Sequence, residues 1–416
     1  MIDMNPAENF LRKDIDPSQH VIATYYFESA DPEKAVIELC KESSTSLKGR
    51  MGVDENFPEK HGAKLVEFEH KGNIAACKIA HPVINFGSRL PNLLTEVAGE
   101  GVYDHGVFQK IRLLDLEFPH EFLKHFTGPR FGKDGWRKIL NIHHRPIICS
   151  VLKPGVGAKP EVAADQALKA FMGGLDIGKD DETVSDTAYS PTAKRLELVM
   201  DSLHKAEDAT GEKKMYVCNI TDETDKMLEL YDLVASYGDS AGVMVVPAWT
   251  GLSAMRMLAK DGRVPIFAHF AGGAAMTRSN DFGIAPTCWT KLQRIAGADL
   301  IINENAGGRM PATPEDVRKN AQACTMPMSN IAPTMPAFGA GDWVKSFYDT
   351  YKNLGTTDFT IIIGRRVFTH PSGPSAGARA FRQTCEAIEK GVTPDEYAKT
   401  HSELREAIEA MQRVTY

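Results

Sequence analysis

Residues 147–182 read IICSVLKPGVGAKPEVAADQALKAFMGGLDIGKDDE. The run Ile147–Val151 is short and apolar without alternation, as a strand covered on both faces must be. A turn follows at Lys153-Pro154-Gly155, then Glu161–Met172 carries apolar residues at helical intervals, and Leu175–Ile177 is a second short apolar run. Strand, helix and strand in so short a span make a βαβ unit. The pattern recurs in strand candidates Met215–Cys218, Gly242–Val246, Val264–Ala268, Leu300–Ile302, Ile331–Thr334 and Phe359–Ile363. Helical periodicity fills the spaces after them, at Thr192–Ala209, Lys226–Ser236, Leu252–Ala259, Pro286–Ala296, Pro314–Ala323, Asp342–Asn353 and Gly373–Lys390. Eight alternating units predict an α/β fold, a TIM (β/α)8 barrel.

In such a barrel the chemistry gathers where strands end. Those ends offer Lys153; Lys179 with Asp181 and Glu182; Asn219; Pro247 and Trp249; His269; Asn303 and Glu304; and the glycine-bearing stretches Phe338–Gly341 and Gly364–Arg366. Basic, acidic and glycine groups in one mouth are complementary in a way that ordinary polar loop starts are not. Asp181 and Glu182 supply hard oxygen ligands suited to Mg²⁺, and a carbamate formed from Lys179 and CO2 would supply a third. Unmodified, Lys179 would repel the ion.

Residues 1–140 read as a separate α+β domain of ferredoxin-like type ahead of a catalytic domain at 141–416. Val21–Tyr26, Ala63–His70, Asn73–Ala80 and Ile111–Phe118 have strand character and Pro32–Cys40 is helical. Thr393-Pro394-Asp395-Glu396 starts a helix expected to continue over Tyr397–Met411. The 416 residues carry 48 Lys and Arg against 55 Asp and Glu, a net charge of -7, with the basic residues scattered. This balance disfavours nucleic acid and anionic membranes as partners, so any phosphate bound is expected on a small molecule. Met1–Arg12 lacks a signal pattern and Ala241–Ala248 is too short to span a bilayer, so a cytoplasmic location is expected. Seven cysteines without a Cys-x-x-Cys pair make a zinc site or disulfide framework unexpected.

With Leu152-Lys153-Pro154 at the first strand end, Gly174-Leu175-Asp176 leading to Lys179-Asp180-Asp181-Glu182 at the second, and Thr369-His370-Pro371 before Gly373-Pro374, nearly the whole chain resembles the RuBisCO large-chain superfamily. Asn85-Phe86-Gly87, Pro91–Thr95 and Gly99-Glu100-Gly101 are similar to its non-carboxylating, RuBisCO-like branch. The resemblance implies Mg²⁺ held by carbamylated Lys179, Asp181 and Glu182, with Lys153 as general acid/base and His269 orienting a substrate hydroxyl or shuttling its proton. It places Arg309 where carboxylases carry the mobile-loop lysine and Gly339, Gly341 and Gly364 along a phosphate site. It also implies at least a homodimer, with Glu42, Lys48 and Glu100 acting on a neighbour's site.

Departures from the carboxylase pattern bear on function. Gly155 replaces the second lysine of Lys-Pro-Lys, Phe270 the arginine after the histidine, and Ile302 the sixth-strand histidine; Leu47 and Lys48 replace a Thr-Trp pair, and Glu100 an asparagine. Phe270 and Ile302 strip one phosphate site, whereas Arg365 and Arg366 add two cations at the other. The expected substrate therefore has one phosphate, and CO2 fixation on ribulose bisphosphate is not expected. The expected enzyme is a Mg-dependent lyase that works through an enediolate and decarboxylates a 3-oxo sugar-acid phosphate, as 3-oxo-isoapionate 4-phosphate decarboxylases do. The alternatives are an isomerase or enolase of a methylthioribulose-type phosphate, for which the enolase base lysine is Glu100 here, and a non-catalytic regulatory homologue.

Overall fold

The computed structural model describes residues 11–12, 14–44, 57–307, 310–339 and 343–412. Its strands are β1 (His20–Glu28), β2 (Lys64–Lys71), β3 (Ile74–Pro82), β4 (Lys110–Glu117), β5 (Ile147–Val151), β6 (Ile177–Lys179), β7 (Met215–Asn219), β8 (Ala241–Val245), β9 (Ile266–Ala268), β10 (Phe282–Ile284), β11 (Leu300–Glu304), β12 (Met335–Gly339) and β13 (Thr360–Ile363). They fall into two compact units. One takes the segments up to Gly128 with Gly272–Ala296 and Met328–Ile331; the other takes Pro129–Ala271, Gly297–Pro327 and the chain from Ala332.

In the first unit the sheet order is β10-β4-β1-β3-β2. β1 runs antiparallel to β3 and β4, and its burial alternates from Val21 on, the mark of a sheet with one covered face. The Pro32–Glu42 helix starts at Asp31, whose carboxylate accepts the Lys34 N–H at 3.1 Å, and turns Ala35, Val36 and Leu39 inward. Strand β10 has no counterpart among the strand candidates of the sequence. Its three residues, one of them glycine, have no pattern of their own and become a strand only by pairing in parallel with β4.

The second unit is a closed barrel of parallel strands in the order β11-β12-β13-β5-β6-β7-β8-β9. β5, β7 and β8 are buried at every residue, because each has strands at both edges, the barrel core on one face and helices on the other. Leu300, Met335, Ile147, Met215 and Phe267 share the barrel core with Trp136 from the Gly132–Leu140 helix, whose ring lies 6.3 Å from that of Phe267.

Two sequence expectations are corrected. The seventh barrel strand is β12, Met335–Gly339, and not Ile331–Thr334. Ile331 instead closes a turn, its N–H bonded to Met328 O, while Thr334 N–H goes to Cys324 O. Pro336 within β12 reads as a strand breaker in sequence, and only pairing on both edges makes this segment a strand. The C-terminal helix is also not continuous. Pro394–Tyr397 is one short helix and Ser402–Gln412 another, because the His401 ring takes the Tyr397 carbonyl at 2.8 Å that a continuing helix would need. Among the described residues no helix is long and apolar enough to cross a membrane.

Candidate active site

β6 ends on Lys179, so the lysine stands in the barrel wall rather than in the loop beyond it. Its side chain is fully buried, with Nζ donating to Asp180 O at 2.7 Å and to Met244 Sδ at 3.3 Å, and lying 5.9 Å from the centre of the Phe267 ring. Burial lowers the amine's pKa from its ordinary value, against the pull of neighbouring Glu182 and Asp181. A buried lysine depressed in this way carries more of the neutral, nucleophilic amine.

Immediately downstream the chain turns, with Val184 N–H bonded to Asp181 O. Asp181 Oδ1 accepts from Thr183 Oγ1 at 2.6 Å and Thr183 N at 3.2 Å, and its Oδ2 pairs with Lys153 Nζ from the loop after β5. Burial alone would raise the Asp181 pKa, but the Lys153 and Thr183 bonds outweigh it and hold the carboxyl well below the usual range. Gly155 leaves bare backbone beside that carboxylate, where a β-carbon would come 3.2 Å from Asp181 Cβ.

His269 follows β9 and completes the cluster. Its Nδ1 accepts the Ala271 N–H at 3.1 Å, which leaves the proton of the neutral ring on Nε2, 3.5 Å from Glu182 Oε2. Burial first, and then the Lys179 charge, push its pKa well below the ordinary imidazole value. Phe270 stacks on it, and the Phe270 ring, Ile302 and Ile362 together surround the bare Cα of Gly339.

Lys153, Lys179, Asp181, Glu182 and His269 thus lie together at one mouth. Asn303 and Glu304 lie on β11 itself and not past its end, and Trp249 is 71% exposed. Arg365 is exposed, but Arg366 is half-buried and lines a cavity of about 30 Å³ with Trp343, His370 and Phe381. Glu42 and Glu100 are exposed residues of the first unit, on helix ends that meet at Gly101. Lys48, Arg309 and Gly341 lie outside the described residues.

Asp180, not among the candidate site residues of the sequence, points away from the cluster. It receives Tyr216 Oη at 2.6 Å, Asn219 N at 3.0 Å and Arg195 Nε and Nη2 at 3.3 Å each. Strand periodicity carries the signal for it: with Lys179 facing inward, the next residue must face outward. Asn219 is a brace too, its amide donating to Glu182 O at 3.2 Å and Val184 O at 2.8 Å.

Among the described residues no three His, Cys, Asp or Glu side chains converge as a ready metal site. The donor set nevertheless fits a divalent ion: two neighbouring carboxylates stand beside a buried amine none of whose hydrogen bonds goes to a carboxylate, and carbamylation would make it the third oxygen donor.

The family model for the ribulose bisphosphate carboxylase large chain, catalytic domain, matches residues 133–411, and that for its N-terminal domain matches residues 9–122. A ribulose bisphosphate carboxylase-like protein from Allochromatium vinosum is 42% identical over 415 residues, covering 95% of this chain and 91% of the relative. The octameric ribulose-1,5-bisphosphate carboxylase/oxygenase of Pyrococcus horikoshii superposes with a TM-score of 0.90 at 30% identity, covering 98% and 97% of the two chains. A RuBisCO-like protein (MtnW) from Alicyclobacillus acidocaldarius gives 0.85 at 27% identity, covering 95% and 99%. With both domain models matched in order and relatives aligned along almost their full length, the chain belongs to the RuBisCO large-chain superfamily, in its RuBisCO-like branch.

Proposed function

We propose that this protein is a Mg²⁺-dependent enzyme that moves a proton, or breaks a carboxyl bond, next to the carbonyl of a small phosphorylated substrate, and that it does not fix CO2. The observation that carries the reading is Lys179, a buried amine beside two carboxylates with a second lysine and a neutral histidine at the same mouth. Carbamylated Lys179, Asp181 and Glu182 would hold the ion, which as a Lewis acid would make the carbon next to a carbonyl acidic. Lys153 would exchange a proton at that carbon, once its present pairing with Asp181 is released. His269 offers Nε2–H to a substrate hydroxyl, and Phe270 keeps that ring in plane. Arg365 offers an exposed cation for the substrate's phosphate or carboxylate.

The finer reading is decarboxylation of a 3-oxo sugar-acid phosphate: the carboxylate leaves as CO2, its bonding pair stays on the carbon next to the carbonyl, and Lys153 supplies the proton. One observation favours isomerisation of a methylthioribulose-type phosphate instead. Phe270, packed on the buried Ile302 and Ile362 around Gly339, keeps part of its ring exposed and suited to an apolar substrate end. As the Pyrococcus horikoshii relative is octameric, we also infer a homodimer or larger assembly here, with Glu42, Lys48 and Glu100 serving a neighbour's site.

Proton NMR in D2O with Mg²⁺ and bicarbonate tests these readings, with a 3-oxo tetronate phosphate, methylthioribulose phosphate and ribulose bisphosphate offered separately. CO2 release from the first names the lyase, and deuterium entry into the second names the isomerase. No reaction with any of them, or reaction that persists in Lys179→Ala, refutes the proposal.

A further inference from the structure

The buried side of the Lys179–Glu182 run is as ordered as the side facing the mouth. Asp180 is 3% exposed, and its two carboxylate oxygens collect four hydrogen bonds from Tyr216, the Asn219 backbone and Arg195. Arg195 is itself saturated: Nη1 donates to Ser190 O at 2.8 Å and Ser190 Oγ at 3.2 Å, and Nη2 also donates to Thr192 Oγ1 at 3.2 Å. The Asp180 N–H is held by Val217 O at 3.1 Å. With its side chain and N–H both fixed, the residue has little rotational freedom, and its carbonyl is set toward the barrel interior. There it accepts the Lys179 Nζ hydrogen bond at 2.7 Å.

We propose that Asp180, gripped by Arg195 and Tyr216, is a positioning residue that presents the Lys179 amine for reaction with CO2. The inference rests on the reading of Lys179 as the carbamylated residue and adds what controls it. In that reaction the Nζ lone pair forms the N–C bond, one C=O pair moves to oxygen, and an Nζ proton leaves to water, giving the carbamate anion. A free lysine side chain samples many rotamers, and holding it in one removes that entropy loss from the addition step. Asp180 touches neither CO2 nor substrate. It acts through its own carbonyl on Lys179 and through the backbone on Asp181.

The test is ¹³C NMR of the full-length protein titrated with ¹³C-bicarbonate, reading the lysine carbamate signal, with a thermal melt of each variant as folding control. Tyr216→Phe removes one of the four donors and leaves the other three; Asp180→Asn sets an amide N–H2 against donors. Loss of one hydrogen bond to a charged group predicts about a tenfold higher bicarbonate requirement for Tyr216→Phe, and more for Asp180→Asn. If Asp180→Asn does not fold, Tyr216→Phe decides. A folded Tyr216→Phe that carbamylates like wild type overturns the positioning role and leaves Lys179 chemistry intact. No carbamate signal in wild type overturns both, and a signal that persists in Lys179→Ala shows that another lysine is the carbamylated one.

Discussion

Phe270 lies against His269 with ring centroids 5.0 Å apart and planes 17° from parallel, and its Cε1 comes within 3.7 Å of where a β-carbon on Gly339 would sit. One aromatic ring thus braces the histidine and fills space at the end of β12 where a cation would otherwise invite an anion. Phe270→Arg is expected to raise affinity for inorganic phosphate about tenfold, read by isothermal calorimetry. Unchanged phosphate affinity in a folded variant would show that the apolar ring does not keep phosphate from this place.

At the opposite, N-terminal end of the strands, Arg145 and Asp176 form a two-pronged pair, Nη1 to Oδ2 at 2.6 Å and Nη2 to Oδ1 at 2.7 Å. Asp176 Oδ2 also takes the Ile148 N–H at 2.9 Å, so the pair joins the starts of β5 and β6. Arg145→Ala leaves a carboxylate that is 1% exposed without its main partner, and should lower unfolding stability by about 3–5 kcal/mol in urea titration. A loss under about 1 kcal/mol would mean that Arg382 and Lys214 alone satisfy Asp176.

Asp299 is the buried carboxyl whose pKa is pushed up, to about 6 from 3.8, by burial that outweighs bonds from Gly132, Ile266 and Phe131 N–H groups. The folded state binds the proton more tightly than the unfolded one, so this group's contribution to stability is largest below 3.8 and is lost as pH rises through 6. The change amounts to roughly 3 kcal/mol. Thermal melts of wild type against Asp299→Asn between about pH 4 and about pH 7 should show the difference shifting in the variant's favour as pH rises. A pH-independent difference would mean that Asp299 ionises at its ordinary value.

A β-carbon on Gly377 would come 2.1 Å from Val367 O, so the Gly373–Glu389 helix packs directly on the backbone that follows Gly364-Arg365-Arg366. The same loop is tied by His370, whose Nε2 donates to Glu403 O at 3.0 Å while its Nδ1 accepts the Ser372 N–H at 3.1 Å. Gly377→Ala must displace that loop. It should cost about 1–3 kcal/mol of stability and weaken the anion binding proposed for Arg365, while leaving the carbamylation proposed for Lys179 unchanged. Intact phosphate binding in Gly377→Ala would detach Arg365 from the site.

The barrel was legible because parallel strands buried on both faces leave uninterrupted apolar runs such as Ile147–Val151. β12 was not, since Met335-Pro336-Ala337-Phe338-Gly339 has poor intrinsic strand character and owes its form to β11 and β13. Lys153, Lys179, Asp181, Glu182 and His269 stood out as polar residues at the ends of apolar runs. Asp180 sits in the same run and was missed, because in a row of charges only the backbone direction tells which one faces inward. Arg366 differs for a related reason: two adjacent arginines look equivalent in sequence, yet the turn in which Arg365 O accepts the Phe368 and Thr369 N–H groups sends them different ways.

After β9 the chain leaves the barrel to supply β10 and the Pro286–Ile295 helix to the first unit, resumes the barrel at β11, and returns to the first unit once more at Met328–Ile331 before β12. The first unit is therefore not a bead on a string. No single crossover in the coding sequence could exchange it, duplicate it or delete it, because the edge strand of its sheet is encoded inside the barrel. A gene ending at the first unit's boundary would specify a sheet without its β10 edge, so the two units are constrained to be inherited and to diverge together.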